Sequence, residues 1–139
     1  MTAPTYQQMI FVNLAVNDLD ASKKFFIELG YSINPQFSDD NAASVVISDT
    51  IVAMLLTKAF YSTFTKKEIA DATKTSEVLI ALSAESRAQV DELVDKAIAA
   101  GGTVSGETQD HGFMYGRSFD DLDGHTWEVV WMDPATVQG

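Results

Sequence analysis

The chain has 139 residues, 46% of them hydrophobic, which is enough for the core of one domain or of two small fused modules. Twenty acidic residues outweigh nine basic ones, and the resulting formal net charge of −11 makes nucleic acid and anionic membrane surfaces poor partners. The absence of cysteine excludes disulfides and thiolate chemistry. The N-terminus does not resemble a signal peptide and no apolar run is long enough to cross a bilayer, so we expect a cytoplasmic protein.

The first half of the chain predicts a strand, a helix and three more strands. Alternating apolar residues predict a strand over 9–16, and Asp18 is the expected N-cap of the helix that follows. The apolar face of that helix consists of Leu19, Phe25, Phe26 and Leu29. Gly30 is the expected end of the helix. A short strand over 31–33 and a hairpin over 43–57 complete this half.

The second half repeats this order after a connecting segment. The sequence Thr65-Lys66-Lys67-Glu68 fits a capping box, which predicts a short helix that continues to about residue 72. Beyond it we predict a strand over 77–83, a helix over 86–100, a short strand over 103–105 and a hairpin over 113–132. The inward residues of this helix are Val90, Leu93, Val94 and Ala97.

Each half therefore predicts a βαβββ module, the first over 9–57 and the second over 76–133, joined by a connection over 58–75. A helix covers one face of its sheet, so the other face must meet a second sheet, from this chain or from a dimer partner. We expect an α+β fold over 1–139, a single domain of cupped mixed sheets with the helices on the outer face. We also expect a homodimer, and a cavity for a small molecule on the face away from the helices.

The last hairpin places one carboxylate among apolar residues. Asp121, Asp123 and Gly124 supply the turn chemistry. In the strand that follows, alternation puts Glu128 on one face beside Val130 and puts two tryptophans on the other face. A carboxylate in such surroundings needs a metal, a hydrogen-bond donor or solvent, because burying it bare is costly.

The register of this hairpin decides which residues share the face of Glu128. A turn centred on Asp123 pairs Ser118 with Glu128 and points Tyr115 and Arg117 to the other face, where we favour an ion pair for Arg117. A slip of one residue would reverse the faces and make Arg117 the partner of Glu128. Ser118, Tyr115 and Arg117 are therefore all candidate ligand-binding residues.

Two motifs carry a resemblance to a known family. They are VNDLDASKKFF over 16–26, followed by Leu29-Gly30, and DLDGHTWE over 121–128. With two βαβββ units, the chain resembles the vicinal oxygen chelate superfamily, which contains glyoxalase I, extradiol dioxygenases, fosfomycin-resistance enzymes and bleomycin-resistance proteins. The runs FVNL over 11–14 and FMYGR over 113–117 are similar to a bacterial group of predicted lactoylglutathione lyases. The resemblance covers nearly the whole chain.

The resemblance implies where a metal would be held. In metal-using members each half supplies one position in its first strand and one in its last strand. Counting along the motifs matches these positions to Phe11 and Leu55 in the first half and to Glu77 and Glu128 in the second. Two of these residues are hydrophobic, whereas divalent first-row metals take about three or four protein N and O donors.

Three hypotheses follow from the resemblance and the residues. The first is a metal-free protein, like the bleomycin-resistance branch, that needs no cofactor and binds a small organic molecule. The acidity of the chain fits a cationic one. The cavity in this hypothesis is lined by Phe11, Asn13, Leu55, Glu77, Ser118 and Glu128. The second is a metal-dependent lyase or isomerase of the lactoylglutathione lyase type. The third is a dimeric scaffold with a vestigial cavity.

The second hypothesis assigns roles to particular groups. Glu77 and Glu128 are then both the catalytic residues and the ligands of a divalent metal. Asn13, on the same face as Phe11, offers a further oxygen. His111 lies in a loop, where it is a candidate ligand contact or general base at neutral pH.

Overall fold

The computed structural model describes residues 5–136, and the chain divides into two compact units, one up to Ile69 and one from Ala70 onward. The elements of the first unit are β1 (Ile10–Val16), α1 (Leu19–Glu28), β2 (Ser32–Asn34), a 3-10 helix (Pro35–Phe37), β3 (Ala42–Val46), β4 (Ile51–Thr57) and α2 (Lys58–Tyr61). The elements of the second unit are β5 (Leu79–Ser83), α3 (Arg87–Ala99), β6 (Thr103–Val104), β7 (Gln109–Asp110), β8 (Met114–Asp120) and β9 (Thr126–Met132). In the described range no helix is long and apolar enough to cross a membrane.

The first unit is a four-stranded sheet with the order β1-β4-β3-β2, in which only β1 and β4 run parallel. Asp18 starts α1, because its side chain accepts a hydrogen bond from the backbone N–H of Ala21 at 3.1 Å. The helix ends before Gly30, whose φ of +108° favours glycine. α1 packs on β3 and β4, and its buried Phe25 and Phe26 meet edge to face with 5.1 Å between ring centroids.

The second unit is a five-stranded sheet with the order β5-β9-β8-β6, and β7 also pairs with β8. β5 and β9 run parallel, as β1 and β4 do in the first unit. Ser86 starts α3, since its hydroxyl accepts a hydrogen bond from the backbone N–H of Gln89 at 3.0 Å. The helix packs on β8 and β9. Its buried residues are Val90, Val94 and Ala97, and Leu93 is half-buried.

The predicted α+β class and the βαβββ order of both halves are confirmed. The second half also contains β7, which the sequence did not predict because two polar residues carry no strand pattern. Its pairing with β8 comes from the tertiary structure. The strand predicted from residue 77 begins at Leu79.

The helix predicted over 65–72 is wrong. A short helix, α2, lies earlier, directly after β4, with Thr57 as its N-cap accepting from the N–H of Phe60 at 3.3 Å. Thr65 accepts from the N–H of Lys67 at 3.1 Å, only two residues on, so it closes a turn instead of a capping box. Residues 62–78 contain turns but no helix or strand.

Candidate ligand-binding face

Hydrogen bonds to α3 identify the helix face of the second sheet. The hydroxyl of Tyr115 donates to Asp91 at 2.7 Å, and Arg117 donates to Asp91 at 2.9 Å and to Asp95 at 3.0 Å. The hydrogen bond from Tyr115 lowers the pKa of Asp91 below its ordinary value, and the hydrogen bond from Arg117 adds a smaller effect in the same direction. The favoured prediction of an ion pair for Arg117 is thus confirmed.

The opposite side of this sheet, which we call the open face, carries Glu128. Ser118 pairs with Glu128 across β8 and β9, and Ala81 pairs with it across β5 and β9. The predicted pairing of Ser118 with Glu128 is confirmed, and the slip of one residue does not occur. Tyr115 and Arg117 were predicted ligand contacts, but the structure places them on the helix face because alternate residues of a strand point to opposite sides.

Glu128 shares this face with Asp120, whose carboxylate accepts a hydrogen bond from the hydroxyl of Thr126 at 2.6 Å. Glu128 is half-buried, and its side chain forms no hydrogen bond or ion pair with any residue between 5 and 136. The hydroxyl of Ser118, an expected donor, accepts a hydrogen bond from the N–H of Gly106 at 2.9 Å. The neighbours of Glu128 on the same face include the apolar Ala81 and Val130. The carboxylate is therefore available to solvent or to a ligand.

The turn between β8 and β9 fixes the face to which Glu128 belongs. Asp121 is buried and accepts hydrogen bonds at 3.0 Å from the backbone N–H groups of Asp123 and His125 and from the indole of Trp127. Burial raises the pKa of Asp121, while the charge of His125 and these three hydrogen bonds act against it. Because the bonds set where β9 begins, they also set the alternation along it.

The helix N-caps give the structural alignment of the two units. Aligning Asp18 with Ser86 matches Phe11 to Leu79 in the first strand of each unit. The sequence had matched Phe11 to Glu77, because the second helix begins two residues later than the count along the motif assumed. Glu77 lies before β5 and is exposed, so its assignment to the family position is wrong. Counting back from Ser86 as the N-cap, as from Asp18 in the first half, would have identified Leu79 from the sequence.

The strand register also corrects the match in the last strand. Asn13 pairs with Met54 in the first sheet, and the matching pair in the second sheet contains Glu128, so Met54 is the counterpart of Glu128. Leu55 pairs with Leu14 on the other face and is 0% exposed. The prediction that Leu55 lines the cavity is wrong, because a shift of one residue moves a side chain to the opposite face.

The corrected family positions do not fit a divalent metal. They are Phe11, Met54, Leu79 and Glu128. Glu128 is the one oxygen donor among them, and a thioether is a soft ligand that suits Cu(I) better than the common divalent ions. Glu77 lies in a bend before β5 and is exposed, four residues before Ala81, the partner of Glu128. Within residues 5–136 no three His, Asp or Glu side chains gather closely enough to hold a metal.

The remaining predicted contacts lie apart. Phe11 and Asn13 are exposed on β1, on the face of the first sheet to which Met54 of β4 also belongs. Phe11 is 55% exposed. His111 is exposed at the turn between β7 and β8, where its ring centroid lies 6.4 Å from that of Phe113. The first two residues belong to the first unit and His111 to the second.

Comparison with known proteins agrees with this architecture. A family profile described as Glyoxalase/Bleomycin resistance protein/Dioxygenase superfamily matches residues 8–129. The chain is 32% identical to a hypothetical protein of S. aureus, over 92% of this chain and 95% of that one, with a TM-score of 0.75. It is 17% identical to the fosfomycin resistance protein FosX of Listeria monocytogenes, over 97% and 96% of the two chains, with a TM-score of 0.66. No curated protein matches the chain.

The structural likeness extends to relatives of low identity. TioX of Micromonospora sp. ML1 is 19% identical, over 91% of this chain and 99% of that one, with a TM-score of 0.64. At such identities the likeness to TioX and FosX concerns the fold alone. The profile match, by contrast, spans both βαβββ units and includes the motif that ends in Glu128. The chain belongs to the glyoxalase/bleomycin resistance protein/dioxygenase superfamily.

Proposed function

We propose that this protein binds a small organic cation on the open face of its second unit and does so without a metal ion. The observation that carries this proposal is Glu128, a half-buried carboxylate without a hydrogen-bonding partner between residues 5 and 136. Such a group is costly to desolvate alone, so a ligand that brings a positive charge has the most to gain there. The bleomycin-resistance branch of the superfamily, which binds a cationic drug, offers a precedent by resemblance.

The charges around the open face support the same class of ligand. Strands β5, β8 and β9 contain a single cation, Arg117, which lies on the helix face bonded to Asp91 and Asp95. Arg87 and Lys96, both on α3, are bonded to Asp110 and Glu92. No cation of these three strands therefore competes for Glu128. The net charge of −11 raises the local concentration of a cationic ligand.

The chemistry of the family positions supports a metal-free site. A metal-dependent lyase would need several nitrogen or oxygen donors, and three of the four positions are hydrophobic or a thioether. We propose that the charge of the ligand itself takes the place next to Glu128 that a metal occupies in other members.

We also propose that the protein acts as a homodimer. Val78 and Leu79 are 52% and 58% exposed, and Met132 on the open face is 44% exposed. Apolar side chains at this exposure, on and beside an edge strand, favour burial against another chain. Light scattering coupled to size exclusion is expected to give twice the chain mass at micromolar concentration. A monomer that persists at the highest soluble concentration contradicts this part of the proposal.

The experiment combines metal analysis with ligand titration. Protein purified without chelator is expected to contain no stoichiometric Ni, Zn, Mn or Fe. In calorimetric titration it is expected to bind benzyltrimethylammonium more tightly than the neutral isostere neopentylbenzene. Glu128→Gln keeps the shape of the side chain and removes its charge, so we expect it to lose about tenfold or more in affinity.

Glu107→Gln is the matched control, because Glu107 is an exposed carboxylate outside the open-face strands. It is expected to bind like the native protein. Two results contradict the proposal. One is a stoichiometric divalent metal that disappears in Glu128→Gln, which supports the metal-dependent lyase. The other is equal, Glu128-independent binding of charged and neutral compounds, or no binding of either, which supports the vestigial scaffold.

A further inference from the structure

One row of side chains on the open face combines two sulfurs with an imidazole. Met114 of β8 pairs directly with Met132 of β9. They lie four residues along their strands from Ser118 and Glu128, so alternation puts them on the same face as those two residues. The backbone N–H of His111 donates to the carbonyl of Met114 at 2.9 Å, which extends the antiparallel ladder of β7 and β8 by one pair. Paired residues point to the same side of a sheet, so His111, Met114 and Met132 form one row, which we call the Met-Met-His row.

The three side chains of this row are accessible and within reach of one ion. Met132 is 44% exposed, Met114 is half-buried and His111 is exposed. The two outer positions lie two strand spacings apart, about 10 Å between their backbones, with Met114 midway. Methionine has three rotatable bonds, so both sulfurs can turn toward an ion above the middle strand while the backbone stays in place.

The hairpin that carries His111 is held from the helix face. Arg87 of α3 donates to both carboxylate oxygens of Asp110, at 3.0 and 2.8 Å, and to the carbonyl of Gly112 at 2.9 Å. These two residues flank His111 on either side. The guanidinium of Arg87 also lies 5.0 Å from the ring centroid of Tyr115, which limits its own freedom. The backbone at His111 is therefore fixed before a ligand arrives, which lowers the entropic cost of binding one.

The charges around the row favour a cation over an anion. Arg117, the single cation in the described strands of this sheet, lies on the helix face bonded to Asp91 and Asp95. Arg87 donates its hydrogen bonds from the helix side as well. The net charge of −11 attracts cations to the whole chain.

We propose that the Met-Met-His row binds a cuprous ion. Thioether sulfur is a soft ligand that selects Cu(I) over the common divalent metals, and a neutral imidazole nitrogen is a good ligand for copper. Three uncharged ligands offset none of the charge of the ion, which disfavours a divalent ion more than a monovalent one. The ion is bound in the reduced state in which it arrives, so no electron transfer is involved.

This site is separate from the family positions and from the proposed site at Glu128. Met132 follows Glu128 by four residues of β9, which is about 13 Å along an extended strand. Neither methionine of the row, nor His111, occupies one of the family positions. All three ligands come from one protomer, so the inference depends neither on the proposed function nor on the oligomeric state.

Anaerobic competition with the Cu(I) chelator bathocuproine disulfonate, in the presence of ascorbate, measures the stoichiometry and the affinity. We expect one equivalent of Cu(I) per chain. Met114→Leu and Met132→Leu nearly keep the volume of the side chain and remove its sulfur. Each is expected to weaken Cu(I) binding about tenfold or more, because loss of a direct ligand costs at least as much as loss of an outer-shell partner. His111→Gln removes the imidazole and is expected to weaken binding to a similar extent.

Met9→Leu and Met54→Leu are the matched controls for the two methionine variants. Met9 is 37% exposed and Met54 is half-buried, and both belong to the first unit. Both variants are expected to bind Cu(I) like the native protein. Thermal denaturation of the metal-free variants separates loss of a ligand from loss of the fold.

Silver(I), a soft monovalent ion that does not change its oxidation state under these conditions, identifies the ligands without any substitution. In protein labelled at the methionine methyl groups, one equivalent of Ag(I) is expected to shift the NMR signals of Met114 and Met132. The signals of Met9 and Met54 are expected to stay in place. This measurement decides the assignment even if one of the leucine variants fails to fold.

Three outcomes overturn the proposal. They are the absence of stoichiometric Cu(I), an affinity that is unchanged in both Met114→Leu and Met132→Leu, and Ag(I) shifts confined to other methionines. None of them bears on the role of Glu128, because Glu128→Gln is expected to bind Cu(I) with an affinity close to that of the native protein.

Discussion

The two units share one backbone plan and differ in the side chains at their family positions. At matched positions the first unit has Phe11 and Met54, and the second has Leu79 and Glu128. The two strands that carry these positions pair in parallel in both units, so the difference at these positions is one of side chains. The same backbone plan therefore carries different chemistry at its family positions, because the sheet itself does not depend on these side chains.

The units also build their cores in opposite ways. In the first unit the aromatic side chains come from the helix, through Phe25 and Phe26, and the sheet contributes aliphatic residues such as Ala53 and Leu55. In the second unit the bulk comes from the sheet, where Trp127, at the position of Ala53, stacks with Phe119 at 6.4 Å between ring centroids. The aromatic side chains thus come from the helix layer in one unit and from the sheet layer in the other.

The assignment of faces in the first unit gives the largest expected effect. Leu55→Glu puts a charge into the buried face and is expected to cost about 5 kcal/mol or more, which would unfold most domains. Met54→Glu, one residue away on the face that carries Asn13, is expected to cost only about 1–2 kcal/mol, because Met54 is half-buried. Urea denaturation measures both. Similar losses for the two variants would contradict the face assignment.

The contrast between the cores predicts that truncation costs most in the helix layer of the first unit and in the sheet layer of the second. Trp127→Ala is expected to cost about 3–5 kcal/mol in the second unit, and Phe26→Ala about the same in the first. Substitutions in the opposite layers, Val94→Ala and Ala53→Gly, are expected to cost about 1–2 kcal/mol. Thermal denaturation of the four variants checks the order. If Val94→Ala costs as much as Trp127→Ala, the bulk of that core does not come from the sheet.

The glycine of the last turn offers a matched pair across the units. Gly124 has φ of +89°, and a Cβ there would lie 2.8 Å from the backbone nitrogen of Thr73. Gly30 has φ of +108°, with nothing within 4 Å of the same atom. Gly30→Ala is expected to cost about 1 kcal/mol through backbone strain alone, and Gly124→Ala about 2–3 kcal/mol, since Thr73 must move as well. Equal melting temperatures for the two variants would show that the backbone at Thr73 moves aside at little cost in free energy.

The smallest effect is on the pH dependence of stability in the second unit. The pKa of Asp110 is lowered to about 2 by Arg87, so the stability it adds is present above its ordinary pKa of 3.8 and is lost as the pH falls through about 2. Burial raises the pKa of Asp121, so its contribution is present below 3.8 and is lost as the pH rises through the raised value.

Urea midpoints between pH 2 and pH 7 test these signs. Asp110→Asn is expected to lower stability at pH 7 and to converge with the native protein near pH 2. Asp121→Asn is expected to remove the part of the decline that occurs above pH 4. A difference in Asp110→Asn that is independent of pH would contradict the assignment to the Arg87 contact.

Much of the fold could be predicted from local patterns. The N-cap at Asp18, the alternation of the strands and the pairing of Ser118 with Glu128 all depend on residues close together in the chain. The capping box at Thr65 failed for a related reason, because the pattern allows a helix without requiring one, and Thr57 caps α2 instead. Local rules state what a segment permits, and packing chooses among the permitted structures.

For this protein, then, the sequence by itself determined the family, the two βαβββ units and the isolated carboxylate at Glu128. Only the tertiary structure decided which residue of the first unit occupies the position equivalent to Glu128, where Met54 replaces the predicted Leu55. The same holds for the contact between Arg87 and Asp110. The physical reason is that pairing between distant strands, and between a helix and a turn, depends on register. A shift of one residue, invisible in the sequence, exchanges the two faces of a sheet.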